Sequence, residues 1–283
     1  MNCPNCNSQK NKIRFSLDTY KIVKCLNCGV FYNRDFPEKE DLKETFSEKY
    51  YSDIQKEAFS YIKEQRNEDV SWDIYRLGLD YIEKNSGKGY LLDVGCAFGS
   101  FLKFASNRGW RVGGVEISEY SSSYARDVRG FNVLTGNLLN LPAQNEQFDV
   151  VTFWDSIEHM REVRQNIEKA SAILKPKGYI VITTDNFNGF LSFVASLFYY
   201  ASFTFLKYPI RKFFIPYNSC YLTHSKLKTI LSQVGLKEVY YRGIDYPLSK
   251  IKLNFFERVI LGILYKIGDL LNMNSQFIII AQK

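Results

Sequence analysis

The sequence predicts an α/β protein whose core is a doubly wound, mainly parallel sheet of seven strands. From Tyr90 onward, short apolar runs alternate with helical patterns at the spacing of βαβ units. The first of these runs passes through a glycine-containing turn directly into a helix. Hydrophobic content of 46% and charged content of 24% are ordinary for a globular protein, and they exclude wholesale disorder.

The N-terminal segment, residues 1–37, is predicted to be a small metal-binding module. Two CxxC pairs flank the alternating stretch IRFSLDTYKIV, which predicts a hairpin. Two residues between cysteines let a tight turn aim both thiolates at one ion, and two such turns complete a tetrahedron. We therefore predict a zinc ribbon with structural Zn²⁺, and a φ > 0 conformation at Gly29 after the second pair. The alternatives are a redox dithiol pair and a ribbon without metal. The predicted ligands are Cys3, Cys6, Cys25 and Cys28.

Residues 38–88 are charged and favour helices, which predicts a helical linker or cap before the sheet begins. The main domain is then expected over residues 89–283. Its strands are predicted within YLLDVG, WRVGGVEI, FNVLTGN, FDVVTFWD, GYIVITTDN, LKEVYYRGI and SQFIIIAQK. Its helices are predicted within SFLKFASNRG, SEYSSSYARDVRG, REVRQNIEKASAILKP and SKLKTILSQVG.

Two helical segments are expected to interrupt this regular pattern. An apolar insertion covers residues 187–223, and residues 186–206 carry no charge at all. A weakly polar stripe on that segment favours a helix lying on the surface over one that spans a membrane. The second segment, over residues 254–273, is amphipathic. Packing on the sheet and peripheral membrane contact, through residues 187–215 and 254–273, are the two interpretations left open.

The charge distribution bears on partners and on location. Residues 1–36 carry a net charge of +4 and residues 205–283 a net charge of +8, whereas residues 37–204 carry −5. An anionic partner should therefore approach through the ends of the chain. The lysines and arginines do not cluster into a stripe, which disfavours nucleic acid. The start of the chain has no apolar signal segment. We therefore expect a cytoplasmic protein with reduced cysteines, in contact at most with the inner face of the membrane.

The turn after the first strand of the sheet carries the strongest binding signal. Asp93 ends that strand, and Gly95 and Gly99 let the backbone approach a ligand closely at the start of the next helix. Glu116 stands at the end of the following strand, where an acid can accept both hydroxyls of a ribose. A dinucleotide site would need GxGxxG, and the sequence from Gly95 is GCAFGS instead.

With these residues, the chain resembles class I methyltransferases that depend on S-adenosylmethionine (SAM). LLDVGCAFGSFL is similar to the first motif of that family, and VEIS, TGNLLNLP, FDVVTFWDSIEHM and LKPKGYIVITTDN follow in the family's order. The resemblance implies a Rossmann-like fold and SAM as the cofactor. It places the methionine part of SAM between Asp93 and Gly99, the ribose on Glu116 and the sulfonium near the end of the fourth strand. An ordinary Rossmann-like fold that binds another ligand is the alternative. The implied cofactor contacts are Asp93, Gly95, Cys96, Ala97, Gly99, Glu116, Asn137, Leu138 and Trp154.

Candidate catalytic residues follow the fourth predicted strand. Methyl transfer to oxygen or nitrogen can require a base as well as an acceptor held in line. His159 is the main candidate, because it lies at the edge of the sheet where ligands bind, and Asp155 and Glu158 are close to it in sequence. A polar residue that opens a helix can also be only a cap. His224, the other histidine, is expected to start a helix.

The combination of this core with a four-cysteine ribbon resembles bacterial enzymes of sugar, polysaccharide and secondary-metabolite pathways. One branch of that group methylates sugar carbon and carries a Glu-His pair, at places that Tyr217 and Asn218 occupy here. O-methylation of a sugar in a polysaccharide, glycolipid or related metabolite is therefore the leading hypothesis. RNA methylation guided by the ribbon, and a non-enzymatic SAM-binding or docking module, are the alternatives.

Overall fold

In the computed structural model, the described residues form two β-sheets, flanked by helices. In chain order the elements are β1 (Asn11–Ser16), β2 (Lys21–Cys25), β3 (Phe31–Asn33), α1 (Trp72–Ser86), β4 (Tyr90–Val94), α2 (Ser100–Asn107), β5 (Arg111–Glu116), α3 (Glu119–Ser123, continued by a π-helical turn over Tyr124–Val128), β6 (Val133–Thr135), β7 (Phe148–Trp154), α4 (Val163–Ile173), β8 (Leu174–Asp185), α5 (Phe190–Ala201), α6 (Tyr208–Phe213), β9 (Cys220–Tyr221), α7 (His224–Gln233), β10 (Lys237–Ile244), α8 (Phe255–Leu270) and β11 (Gln276–Gln282). The structure describes residues 1–38, 45–48, 50, 72–142, 147–248 and 253–283.

The larger sheet has seven strands in the order β10-β11-β8-β7-β4-β5-β6. Neighbouring strands from β6 to β8 run parallel, whereas β11 pairs antiparallel with both β8 and β10. The predicted α/β class with a mainly parallel sheet of seven strands is therefore confirmed. The central strands β4, β7 and β8 are buried runs of apolar residues because helices cover both faces of the sheet.

The strand order places a crevice at the carboxyl edge of the sheet. From β4 the chain continues outward through β5 and β6, and it then returns to β7 on the other side of β4. The connections that leave β4 and β7 therefore separate at their carboxyl ends. Open α/β sheets bind their ligands at such a reversal point. The motif that follows β4 and the residues that follow β7 consequently meet at this crevice.

The ribbon sheet is formed by β1, β2, β3 and β9. β1 and β2 make the predicted hairpin, and β3 pairs antiparallel with β2. The fourth strand, β9, belongs to the insertion that follows β8. It pairs with β3 through Phe31–Tyr221 and Tyr32–Cys220. Apolar residues of the hairpin also pack against α5 and α6. The ribbon and the insertion therefore share a sheet and a core.

The insertion helix α5 turns its polar stripe toward the protein. The stripe consists of Asn188, Ser192, Ser196 and Tyr199, of which Ser192 and Tyr199 are buried together with Leu191 and Ala195. The exposed side of α5 carries Phe193, Leu197 and Phe198 instead. Most of the apolar surface of this helix consequently faces outward.

The amphipathic segment forms α8, which lies against α5. A capping box between Asn254 and Glu257 starts the helix. The interpretation that its apolar face packs on the sheet is wrong, because that face is exposed, and only Gly268 is buried along the helix. The apolar residues exposed on α8 or directly after it are Phe255, Phe256, Val259, Ile260, Ile263, Ile267, Leu270 and Leu271.

Two differences from the sequence expectations concern boundaries. The helix expected to run to Pro176 ends at Ile173, and β8 begins at once, with a register shift against β7 before Tyr179. Proline lacks an amide hydrogen and cannot continue the helix. Much of the predicted linker over residues 38–88 lies outside the described residues, while α1 falls inside that range. Among the described residues, no helix combines the length and apolar character needed to cross a bilayer.

Candidate methyl-transfer site and cysteine cluster

The turn after β4 is held in a backbone conformation that few side chains tolerate. Gly95, Ala97 and Gly99 have φ angles of 80°, 45° and 77°, all in the left-handed region. Ala97 stands where the resembling family usually has glycine, and it adopts the same half of φ space. A Cβ added at Gly95 would lie 2.6 Å from the Cβ of Ser156, which follows β7. Gly95 therefore permits both the turn and its close approach to the β7 connection.

Glu116 stabilises this turn from the end of β5. Its two carboxylate oxygens accept hydrogen bonds from the amides of Ala97, at 2.9 Å, and Ser118, at 2.8 Å. Burial raises the pKa of the Glu116 carboxyl, and these amides partly offset that effect. The predicted ribose contact is therefore a buried acid beside the glycine motif. The nearby Ser118 hydroxyl is buried and has no partner among the described residues.

Asp93 lies beneath the turn, at the penultimate position of β4. It is 2% exposed, and its carboxylate accepts a hydrogen bond of 2.7 Å from the Thr152 hydroxyl on β7. The pKa of Asp93 is raised to about 7, mainly by burial, with the Thr152 hydrogen bond lowering it in part and the negative charge of Glu116 adding to the rise. Asp93 is thus an acid whose charge is sensitive to a cation that binds above it.

A cavity of about 170 Å³ lies beyond the ends of β5 and β6. Its wall includes Thr135 at the end of β6 and Ser47 of the preceding segment. The predicted adenine contacts follow β6 directly: Asn137 caps a 3₁₀ turn by accepting the amide of Leu139 at 2.7 Å, and Leu138 is buried. The lining residues are Ser47, Glu48, Ile117, Ser118, Glu119, Tyr120 and Thr135.

Aromatic residues cover the glycine motif on its outer side. Phe46 and Tyr50 form a buried cluster with Ala97 and Phe98, and Tyr217 of the insertion joins it. Phe46 also lies 5.7 Å, between ring centroids, from His159. A segment that precedes the sheet in sequence thus contributes an apolar wall to both halves of the crevice. This wall lowers the local access of water, which strengthens electrostatic interactions in the site.

Trp154, at the end of β7, turns its indole ring into the helix layer. The ring lies 4.9 Å from those of both Tyr75 on α1 and Phe101 on α2. Tyr75 was not predicted as a site residue. Burial raises the pKa of its hydroxyl, and the negative charges of Asp93 and Asp155 raise that pKa as well. It therefore lies near both acids. The sequence indicated only a charged, helix-forming segment here, and that signal does not distinguish a core residue from a site residue.

Three carboxylates gather where β7 and β8 end. Asp155 is exposed, with φ 47°, and shares the amide of Gln276 with Asp185, at 3.4 and 3.2 Å. Burial raises the pKa of Asp185 to about 6, and the charge of Asp155 adds to the shift. Burial also raises the pKa of Glu158 well above its usual range, with Asp155 and Asp185 adding to it. Oε2 of Glu158 and Oδ1 of Asn218, both buried, have no partner among the described residues. Asp185, Asn218 and Gln276 were missed because they come from distant segments.

His159 lies in the 3₁₀ turn that follows β7, with Nδ1 2.8 Å from the carbonyl oxygen of Tyr217. A carbonyl oxygen only accepts, so Nδ1 carries the proton and Nε2 keeps its lone pair. Burial lowers the pKa of His159, and the Tyr217 carbonyl opposes that shift in part. His159 is thus a neutral imidazole with a defined tautomer. The other histidine, His224, starts α7 as predicted and lies 2.7 Å from a carboxylate oxygen of Glu238.

The four N-terminal cysteines converge on one point. Their sulfur atoms all lie within 4.8 Å of one another, with Cys3–Cys28 at 3.5 Å and Cys6–Cys25 at 3.6 Å. A tetrahedral ion with Zn–S bonds of about 2.3 Å needs sulfurs about 3.8 Å apart, so the arrangement fits. Asn7 and Gly29 follow the two CxxC pairs and have φ of 56° and 76°. Each donates its backbone amide hydrogen to the carbonyl oxygen of the first cysteine of its pair. The φ > 0 conformation predicted for Gly29 is confirmed, and Asn7 repeats it.

Comparison with known proteins gives a consistent result for the larger sheet. The family described as "Methyltransferase domain" matches residues 62–240, which is more than half of the chain. The match leaves the cysteine cluster and α8 outside. A SAM-dependent methyltransferase from Archaeoglobus fulgidus has the same fold, with a TM-score of 0.53 and 23% identity, over 79% of this chain and 99% of that one.

Curated relatives at low identity carry the name ubiquinone biosynthesis O-methyltransferase. The protein of Azoarcus sp. strain BH72 is 28% identical over 188 residues, which are 63% of this chain and 78% of the relative. The protein of Marinobacter nauticus is 31% identical over 129 residues, which are 41% of this chain and 53% of the relative.

Proposed function

We propose that this protein transfers a methyl group from SAM to a hydroxyl oxygen. The chain belongs to the methyltransferase-domain family and has the fold of SAM-dependent methyltransferases. The proposed acceptor is a sugar of a glycolipid, polysaccharide or related metabolite. The observation that carries the proposal is the pairing of two unlike halves across one crevice. One half is a glycine turn with buried acids, and the other holds a neutral histidine beside carboxylates.

The donor half fits SAM through its own residues. The proposed contacts of the methionine part lie between Asp93 and Gly99, including Cys96 and Ala97, and Glu116 is proposed to hold the ribose hydroxyls. SAM supplies an electrophilic methyl group on a sulfonium. The buried Asp93 supports this assignment, because a cation above it favours the ionised carboxylate, whose formation burial otherwise opposes. Asn137, Leu138 and Trp154 complete the proposed contacts.

The acceptor half can remove the hydroxyl proton. His159 Nε2 is proposed to accept that proton as the oxygen attacks, since its Nδ1 proton is already engaged by the Tyr217 carbonyl. Asp155, which is exposed at the edge of the crevice, is proposed to orient the hydroxyl. Oε2 of Glu158 and Oδ1 of Asn218 are further polar atoms of this half that are buried without a hydrogen-bond partner among the described residues.

The exposed apolar surface of α5, α6 and α8 supports an acceptor that belongs to a membrane. Phe203 and Phe205, in the connection between α5 and α6, are 84% and 87% exposed, and Phe255 on α8 is 74% exposed. Monomeric soluble proteins rarely leave large apolar patches in water. Arg211, Lys212, Arg258 and Lys266 are exposed on the same helices. Apolar residues with basic neighbours favour an anionic lipid surface, so the proposed contact is peripheral, at the inner face of the membrane.

Structural Zn²⁺ is the proposed occupant of the cysteine cluster. Four thiolates leave no open position for a substrate or for water, so the ion would stabilise the ribbon without entering the reaction. The spacing of the four sulfur atoms supports this proposal.

Product analysis tests the proposed reaction. The protein is incubated with SAM carrying a ¹³C methyl group and with glycolipid, polysaccharide and total lipid extracts, and the products are examined by mass spectrometry. A glycan product with a labelled O-methyl group is expected, and it should disappear with Glu116→Ala. Labelled RNA, or SAM binding without any labelled product, would contradict the proposal.

Vesicle flotation tests the membrane contact separately. Binding to anionic vesicles is expected to fall strongly in the double variant Phe255→Ser/Val259→Ser. The control is Val128→Ser/Leu134→Ser. It changes two exposed apolar residues at the β6 edge of the sheet, opposite the β10 edge. Equal binding by both variants would contradict the proposed membrane contact, but it would not bear on the proposed methyl transfer.

The names of the curated relatives favour one second candidate. An intermediate of ubiquinone biosynthesis would also be an acceptor for O-methylation. The same product analysis distinguishes it, because the label would then appear in the quinone fraction of the lipid extract.

A further inference from the structure

Residues 216–219 connect the cysteine module to the acceptor half of the crevice. This segment lies between α6 and β9 in the chain. On one side it contacts β3 of the ribbon, and on the other it contacts the turn that carries Glu158 and His159. It thus belongs to both regions.

The contacts on the ribbon side are made by Asn33, the last residue of β3. Its side-chain amide donates to the carbonyl of Pro216 at 2.9 Å, and its backbone amide donates to the carbonyl of Ser219 at 3.0 Å. Asn33 is 1% exposed, so both bonds are shielded from water. The ladder between β3 and β9 continues from this point. The position of the segment therefore follows the position of β3.

The contacts on the side of the crevice are equally direct. The carbonyl of Tyr217 lies 2.8 Å from Nδ1 of His159, and the amide of Ser219 donates to the carbonyl of Glu158 at 2.7 Å. The Ser219 hydroxyl lies within hydrogen-bond distance of the carbonyls of both Glu158, at 2.9 Å, and Met160, at 2.5 Å. A displacement of the segment would therefore remove the acceptor that fixes the tautomer of His159.

The cysteine cluster lies at the turn that leads into β3. Cys25 ends β2 and Cys28 closes the second turn, three residues before β3 begins. The ammonium group of Lys226, on α7, donates to the carbonyl of Cys28 at 2.9 Å and attaches this turn to the main domain. A module of this size folds through its bound ion when one is present. Loss of the ion would release β3 together with the turn.

We propose that the ribbon is a positioning element of the methyl-transfer site, in which metal bound by the four cysteines holds Asn33 and residues 216–219 against His159. The reaction assigned to His159 rests on the proposed function, whereas the mechanical link does not. Asn33 is a positioning residue, since it acts on His159 only through the Tyr217 segment.

The substitution Asn33→Ala tests the link without touching a cysteine. Nitrogen NMR of the two histidines reports their tautomers, with His159→Gln used to assign the signals. The signal of His159 is expected to change from the Nδ1–H form to a mixture of tautomers, while that of His224 stays the same. Zinc content is expected to stay at about one ion per chain, and SAM affinity within about twofold of the wild type. Asn85→Ala is the matched control, because Asn85 also donates to a backbone carbonyl, that of Tyr81, but on an exposed face of α1.

Hydrogen exchange of the wild-type protein provides a second measurement that needs no variant. Removal of zinc by a chelator is expected to accelerate amide exchange in peptides that cover residues 216–221, in addition to the ribbon. Peptides that cover residues 90–99 should keep their protection, and reloading with zinc should restore the original pattern. Protection lost only in residues 1–37 would overturn the proposal, and so would an unchanged His159 signal in Asn33→Ala. Neither readout uses the acceptor, so a failed search for product would leave this test intact.

Discussion

The two halves of the crevice differ in how far apart in the chain their parts lie. On the donor side, Glu116 contacts the amides of Ala97 and Ser118, at separations of 19 and 2 residues. On the acceptor side, His159 is bonded to a carbonyl 58 residues away, and Asp155 to an amide 121 residues away. The turn that Glu116 holds is therefore a local structure, whereas the bond from Thr152 to Asp93 spans 59 residues and the acceptor half depends throughout on distant segments.

The two halves also differ in how their buried polar groups are paired. Glu116 has a backbone amide on each carboxylate oxygen. Glu158 and Asn218 each keep a buried oxygen without a partner among the described residues. Such atoms cost stability unless a ligand or water satisfies them. The unpartnered atoms of the acceptor half therefore oppose folding, as does the unpartnered Ser118 hydroxyl on the donor side, whereas both carboxylate oxygens of Glu116 are paired.

The largest effect is expected for Gly95→Ala, which should break the donor half. The new Cβ would meet Ser156 at 2.6 Å and would force alanine to a φ of 80°. We expect destabilisation by about 2–4 kcal/mol and loss of measurable SAM binding. Gly130→Ala is the control, since Gly130 has φ 72° with open space around it. Chemical denaturation and calorimetry measure the two effects, and equal behaviour of the variants would mean that close packing at Gly95 does not matter.

Glu116→Ala is expected to have the next largest effect, because it removes the acceptor of two buried amides and of the proposed ribose hydroxyls. SAM affinity should fall by roughly 10- to 100-fold, which corresponds to the loss of hydrogen bonds to a charged group. Titration calorimetry measures it, with Glu168→Ala as control, since Glu168 pairs with Arg164 on α4. Unchanged affinity in Glu116→Ala would contradict the ribose assignment.

A smaller effect is expected from pH through Asp93, whose pKa burial raises to about 7. The ionised carboxylate attracts the cationic donor, so SAM affinity should decrease as the pH falls below about 7, by at most tenfold per pH unit. In Asp93→Asn the affinity should be lower and independent of pH over this range. Calorimetry between pH 6 and pH 8.5 gives both slopes. Parallel slopes for wild type and variant would assign the titration to another group.

Asp185→Asn should show the smallest effect, and it should raise the stability of the fold rather than lower it. The folded pKa of about 6 lies above the usual value of 3.8, so the contribution of Asp185 to stability is complete below pH 3.8 and is lost as the pH rises through 6. At pH 7.5 the variant should therefore be more stable than the wild type by about 1–2 kcal/mol, or a few degrees in Tm. The gain should vanish near pH 4.

The control for Asp185→Asn is Asp73→Asn, which changes a carboxylate exposed on α1. SAM affinity should be unchanged in both variants. A loss of stability in Asp185→Asn at pH 7.5 would contradict the expectation, because it would mean that the ionised Asp185 stabilises the fold.

The local sequence was sufficient for the sheet, for the glycine turn and for the two CxxC turns. The turns follow from short motifs in which glycine adopts the positive φ that other residues avoid, and each strand and helix follows from its own hydrophobic periodicity. Gly29, Gly95 and Gly99 adopt positive φ where the motifs required it. The alternation of apolar runs and helices predicted the seven strands because both faces of a parallel sheet must be covered.

Only the tertiary structure decided what the sheet edge and the helices face. Hydrophobic periodicity predicts that a helix has two faces, but not which face meets the protein, and α5 and α8 turn apolar residues outward. The pairing of β3 with β9 joins residues almost 190 positions apart, and no local signal specifies such a pair. Asp185, Asn218 and Gln276 meet for the same reason. Contacts between distant segments arise from the packing of complete elements, and a single sequence does not record that packing.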